Sequence, residues 1–212
     1  MAVFDKNGDL KQDARDVLYE LGNVGVGTAA MAIGSIREME IRIDPPNVIA
    51  VKSDIFAEID YDPEQVVVSV STRMSDTLDG SILFLLSREF VRNTVYKMTE
   101  ECFDDEELMK NEDSVSALRE MINYTTAGYA KVIGSYLELP VYISSASVGL
   151  SKARNIVQDV IANASIKADK MACVNTKFTI VDEDGNKTDE VGQVLIFPDA
   201  KSIEKFIEIM RD

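Results

Sequence analysis

Asp16-Val-Leu-Tyr-Glu-Leu-Gly-Asn-Val-Gly-Val-Gly-Thr-Ala-Ala-Met-Ala-Ile-Gly-Ser-Ile36 is the first long periodic stretch of this 212-residue chain. Leu18, Leu21, Ala29, Ala32 and Ile36 recur at the spacing of one helix face, and Asp13 stands where a helix could start. At an offset of 100 the stretch has an echo, Ser116 to Tyr136, within a second long helix expected from about Ser114 to Glu138, whose inward set is Leu118, Met121, Ile122, Val132 and Tyr136. Each helical residue turns about 100°, so Asp16, Asn23, Gly27 and Met31 all fall within about 60° of Glu20, away from the apolar set. Ser116, Glu120, Asn123, Ala127 and Lys131 form the same ridge on the second helix.

The echo extends further. Gly80-Ser-Ile-Leu-Phe-Leu-Leu86 lines up with Gly192-Gln-Val-Leu-Ile-Phe-Pro198 at an offset of 112. Behind these runs Val91 matches Ile203, Val95 matches Ile207 and Met98 matches Met210. Strand-like runs rich in β-branched residues lie at Val48–Lys52, Phe56–Ile59, Val66–Val70 and Ile82–Leu86, and Met39–Asp44 alternates before Pro45 and Pro46 stop it. Ser87 can cap a helix bearing Phe90, Val91, Thr94, Val95 and Met98. In the second half Val141–Val148 reads as extended, Ile156–Ile161 as a short helix and Cys173–Val181 as a strand. Asp184-Gly185 turns that strand into Val191–Phe197, and a last helix carries Ile203, Phe206, Ile207 and Met210. The expected fold is mixed α/β of the α+β kind. Two related halves, about 10–99 and 110–212, form one pseudo-two-fold domain over 1–212, with a continuous, mainly antiparallel sheet and two long exposed helices.

Composition narrows the chemistry. The 22 Lys and Arg against 37 Asp and Glu give a charge of −15, which argues against gripping nucleic acid or an anionic membrane. The chain has no histidine, so imidazole acid–base catalysis, Ser–His or Cys–His pairs and His metal ligands are all excluded. Cys102 and Cys173 have no zinc spacing and read as a pair of unremarkable thiols. The acidic run Glu100–Glu107 reads as a solvated connector, and Asp5–Asp9 and Asp182–Glu190 read as turns, since none matches a cation loop. No metal site is expected. With no signal peptide or membrane-length apolar run, the chain reads as cytoplasmic, without membrane insertion.

Asn is a mediocre helix residue, yet it sits mid-helix twice at matched phase. Gly22, Gly25 and Gly27 each cost the first helix roughly 1 kcal/mol against Ala. Some of these glycines can serve packing against a neighbouring helix. Gly27 is on the ridge, where a missing side chain lets another molecule come close.

The pattern [Asp/Ser]-x3-Glu-x2-Asn-x22-Pro, with a Gly-Asn-Val-Gly-x-Gly-Thr-Ala run, resembles the CheC/CheX/FliY phosphatase family of bacterial chemotaxis. Asp16, Glu20, Asn23 and Pro46 match throughout. Ser116, Glu120 and Asn123 match in the second copy, where Ala146 occupies the proline position and Ile122 the place of Gly22. Within that family the length and the two candidate sites fit the CheC layout.

The resemblance implies a protein phosphatase acting on a CheY-type response regulator phosphorylated on aspartate. Asn23 and Asn123 would orient the attacking water, while Glu20 and Glu120 would dock the regulator's lysine. Asp16, Gly27 and Ser116 would extend the partner-binding ridge, with Pro46 as a structural part of the motif. It implies no cofactor of the chain's own, the Mg2+ being supplied by the regulator, and a second partner, the receptor deamidase CheD. The alternative is a non-catalytic or weakly catalytic binding module that regulates CheD.

Overall fold

The computed structural model describes the chain apart from residues 1, 52–54, 77, 139, 166–169 and 211–212, and apart from the side chains of 136, 137, 164 and 165. The expected inward position Tyr136 and the end of the Val48–Lys52 strand therefore lie outside the described residues. The two long helices are α1 (Gln12–Arg37) and α4 (Glu112–Leu137). Both begin before the expected starts. Asp13 falls in the first turn of α1, behind Lys11, and the α4 cap is Asn111, whose side chain accepts from the N–H groups of Asp113 and Ser114. Their ends match at the same offset of 100. Glu38 and Glu138 both adopt the left-handed conformation, at φ 52° and 54°, and their N–H groups return to the carbonyls of Gly34 and Gly134.

Between and after the helices run β1 (Glu40–Ile43), β2 (Asn47–Val51), α2 (Phe56–Ile59), β3 (Val66–Asp76), β4 (Gly80–Leu86) and α3 (Arg88–Thr99). The second half supplies β5 (Val141–Ile143), β6 (Ser147–Lys152), α5 (Ala153–Ser165), β7 (Met171–Val181), β8 (Lys187–Pro198) and α6 (Ala200–Ile209). The strands form one eight-stranded sheet in the order β1-β7-β8-β4-β3-β5, with β2 also on β7 and β6 also on β3; every pairing is antiparallel. β3–β4 and β7–β8 are hairpins within each half. The first two strands of each half, however, pair with the long strand of the other half. At the centre β4 lies on β8 with Leu83 opposite Leu195, two residues separated by the repeat offset of 112, so the pseudo-two-fold axis passes between them.

Alternation then sorts the sheet's side chains. Ile82, Phe84, Leu86, Val194 and Ile196 join the large core under α1, α3, α4 and α6. Leu83, Leu85, Leu195 and Phe197 join a smaller core on the opposite face, with Val157 of α5 and Ile59 of α2. Strands buried on both faces read as continuous apolar runs, which is how β4 and β8 look in sequence. Ser87 caps α3 as expected, accepting from the N–H of Phe90. The Phe56–Ile59 run expected as a strand is instead one helical turn, α2. Its terminal carbonyls are taken by strand side chains: Asn47 Nδ2 donates to the Glu58 carbonyl at 2.9 Å, and Gln193 Nε2 to the Ile59 carbonyl at 2.9 Å. A four-residue apolar run carries too little periodicity to distinguish the two.

Two glycines set how α1 sits. A Cβ on Gly25 would fall 1.6 Å from Cε2 of Tyr129, so the buried tyrosine of α4 lies directly against the α1 backbone. A Cβ on Gly22 would fall 2.8 Å from both Pro46 Cβ and Val174 Cγ1. The second half fills the matched positions the other way round, with fully buried Ile122 for Gly22 and buried Ala146 for Pro46. The two departures from the motif are thus a complementary exchange of volume in the core.

At the end of α1, Arg37 is buried and ion-paired with Glu190, at 2.7 Å from Nη1 to Oε2 and 3.1 Å from Nη2 to Oε1. Nη1 also donates to Thr94 Oγ1 at 3.1 Å. The repeat offset of 112 places Leu78 and Phe206, both buried, where this network has Glu190 and Thr94. The sequence has Leu137 for Arg37.

Removing one member of a buried pair strands the other charge and typically costs about 3–5 kcal/mol, whereas apolar replacement of both is often neutral. Urea unfolding should therefore show Arg37→Ala and Glu190→Ala each losing about 3 kcal/mol or more, and Arg37→Leu/Glu190→Leu losing much less than either. Gly22→Ala should destabilise by about 1–3 kcal/mol through overpacking, despite its better helix propensity. In the Pro46→Ala background the loss should shrink, a coupling that a double-mutant cycle measures directly.

Candidate functional site

The faces of α1 and α4 turned from the sheet carry the expected ridges. Asp16 and Asn23 are exposed and Glu20 is half-buried, while Ser116, Glu120 and Asn123 are all exposed. Beneath them Leu18, Leu21, Leu118, Met121 and Ile122 are buried, so the helical phase inferred from the apolar residues holds in both helices. Asp16 Oδ1 accepts from Gln12 Nε2 at 2.6 Å. Among the described residues, no side chain engages the carboxamides of Asn23 and Asn123 or the carboxylates of Glu20 and Glu120. Gly27 continues the first ridge with nothing within 4 Å of an added Cβ, so its surface is open to an approaching molecule. Pro46 is buried against Gly22, away from the ridge, and acts through packing.

The second ridge borders an open depression of about 630 Å3. Ser116, Arg119, Glu120, Asn123 and Tyr124 form one wall, and Ser35, Ile36 and Met98 face them from α1 and α3. Arg119 and Tyr124 belong to this surface although the sequence ridge passed them by. They stand four residues before Asn123 and one after it, and the helical spacing from Asn123 to Arg119 was the available signal.

The remaining candidates are otherwise engaged. In the acidic connector Asp105 pairs with Arg88 and Arg92, and Asp104 accepts from the N–H groups of Glu106 and Glu107. Asp5 and Asp182 organise tight turns. Cys173 is buried, which pushes its thiol well above the ordinary range, and Cys102 is exposed. Among the described residues no group of His, Cys, Asp or Glu could hold a metal ion, and no helix is long and apolar enough to cross a membrane.

The site is therefore convex. A free carboxamide and a free carboxylate one turn apart stand on each helix, and the depression beside the second pair is open to solvent. Such a surface acts by entering a partner's pocket, and a carboxamide can both donate to and accept from a water there without adding charge.

No family model matches the sequence. Among curated proteins the chain is 25% identical over 209 residues to the CheY-P phosphatase CheC of Bacillus subtilis (strain 168), an alignment spanning 97% of this chain and 96% of that one. Among solved structures it superposes on FliY of Thermotoga maritima with a TM-score of 0.67 at 21% identity, covering 95% of this chain and 98% of that chain. It also superposes on CheX in a CheX–CheY–BeF3–Mg2+ complex from Borrelia burgdorferi, with a TM-score of 0.55 at 17% identity, covering 83% of this chain and 96% of that chain. The chain thus resembles CheC along nearly its whole length and has the fold of the CheC, CheX and FliY chemotaxis proteins.

Proposed function

We propose that the chain is a phosphatase for the aspartyl phosphate of a CheY-type response regulator, with Asn23 and Asn123 positioning the attacking water. The observation that carries this reading is the pair of unengaged, outward-facing carboxamides at matched phase on two convex ridges. The likeness to a CheY-P phosphatase and the fold shared with a CheX seen in complex with CheY support the choice of partner.

Acyl-phosphate hydrolysis asks for a water held in line with the leaving carboxylate and for stabilisation of charge on the phosphoryl oxygens. The regulator's own Mg2+ and lysine supply the second requirement, and the ridge supplies the first. Asn Oδ1 accepts a water hydrogen and aims the oxygen lone pair at phosphorus, while Nδ2 is free to donate to the phosphoryl group. Glu20 and Glu120, one turn back, pair with the regulator's lysine and set the helix in register. Asp16 and Ser116 lengthen the docking edge, and Gly27 lets the partner backbone close on α1. No proton shuttle is required, which suits a chain without histidine.

Phosphate release from an acyl-phosphorylated CheY-type regulator with Mg2+ is the direct test. Wild type should accelerate it, and Asn23→Ala/Asn123→Ala should return it to the regulator's own rate, a loss of about a hundredfold or more, with the circular dichroism spectrum unchanged. An equally active double variant sinks the catalytic assignment. If wild type binds the regulator without accelerating release, the chain is a binding module, and CheD becomes the partner to assay. Glu20→Gln/Glu120→Gln should mainly raise KM, by about tenfold, because the carboxylates act in docking.

A further inference from the structure

The two ridges differ in charge. From Asp16 to Met31 the outward positions of α1 are Asp16, Tyr19, Glu20, Asn23, Gly27 and Met31, with a charge of −2; on α4 they are Ser116, Arg119, Glu120, Asn123, Ala127 and Lys131, with a charge of +1. The acids further upstream, Glu112 and Asp113, stand where α1 has Gln12 and Asp13. Arg119 and Lys131 are exposed, and among the described residues neither has a carboxylate partner. Several other cations are engaged, Arg88 and Arg92 by Asp105 and Lys152 and Arg154 by Glu64. The facing wall of the depression, Ser35, Ile36 and Met98, carries no charge to neutralise Arg119.

We infer that Arg119, assisted by Lys131, steers and holds the acidic phosphorylated face of the regulator at the second ridge. The first ridge, with Tyr19 and Met31 at the matched positions, has no such device. This deepens the phosphatase reading and rests on it. A phosphoaspartate and the carboxylates that hold its Mg2+ form an acidic rim, and a chain of charge −15 repels such a partner everywhere except where cations are left unpaired. Arg119 lies one helical turn before Asn123, so its guanidinium can take a phosphoryl or carboxylate oxygen pair at the rim while the carboxamide enters. The second ridge then gains a salt-sensitive cation contact that the first ridge lacks.

The test separates the ridges before it touches Arg119. With the first ridge disabled by Glu20→Ala/Asn23→Ala, Arg119→Ala should weaken binding of a CheY-type regulator charged with beryllofluoride and Mg2+ by about three- to tenfold at low ionic strength. The deficit should vanish at high salt. Arg119→Lys should recover most of the binding, and in turnover Arg119→Ala should raise KM while leaving kcat in place. With the second ridge disabled by Glu120→Ala/Asn123→Ala, Arg119→Ala should change binding by less than twofold. Equal weakening in both backgrounds, no weakening at low salt, or no binding at all by the second ridge alone overturns the inference. Failure of the phosphatase reading looks different: the regulator binds with the expected salt dependence, yet phosphate release is the same with and without the two asparagines.

Discussion

Everything in this molecule depends on strand exchange across the central β4–β8 pair. β1 and β2 of the first half lie on β7, β5 and β6 of the second half lie on β3, and Leu83 faces Leu195 on the axis between them. Neither half has a complete sheet to bury, so neither has a core alone. The exchange also fixes the ridges. α1 and α4 pack side by side on the sheet face that the exchange creates, with Tyr129 laid on the bare backbone at Gly25, and their outward stripes are carried as one rigid surface.

Within that frame the two halves reach equal burial by different chemistry. Gly22 beneath Pro46 becomes Ile122 and Ala146, moving volume from the loop to the helix. The Arg37–Thr94–Glu190 network has Leu78 and Phe206 at its matched positions, an apolar counterpart to a buried charge pair that joins the two halves. Glu and Asn are the same on both ridges, whereas the outward positions around them differ, Tyr19 and Met31 standing where the second ridge has Arg119 and Lys131. Ala146 in the proline position is accordingly a matter of core volume and leaves the exposure of Glu120 and Asn123 intact.

Helical phase was legible in the sequence because one side of each long helix is buried and the other bare, which leaves a period of 3.6 that no tertiary detail can hide. The β4 and β8 runs were legible for the opposite reason, both faces being buried, and their offset carried straight into their register. Ser87 and the Asp182–Asn186 turn were readable as local hydrogen-bonding devices. What stayed hidden was pairing at a distance. No local pattern shows that β1 prefers β7, or that Arg37 meets a glutamate 153 residues away. The turn of helix at Phe56–Ile59 depends on side-chain amides from β2 and β8, also outside any local window. At the site the Glu and Asn positions followed from phase, whereas the contribution of Arg119 and Tyr124 depends on the uncharged wall that α1 and α3 place opposite them.

The exchange has a consequence during synthesis. When β4 leaves the ribosome, its apolar edge has β3 on one side and nothing on the other, because β8 ends only at Pro198. At about 5–20 residues per second, the 112-residue offset corresponds to a wait on the order of ten seconds. Until β7 emerges β1 and β2 have no strand to join, and until β8 does Leu83 and Leu85 lack their neighbours Leu195 and Gln193. Two nascent chains on one message each expose the strand edge that the other lacks. Intermolecular pairing of β4 is therefore the characteristic hazard of this architecture, and rapid engagement by a chaperone that covers apolar strand edges favours the intramolecular product.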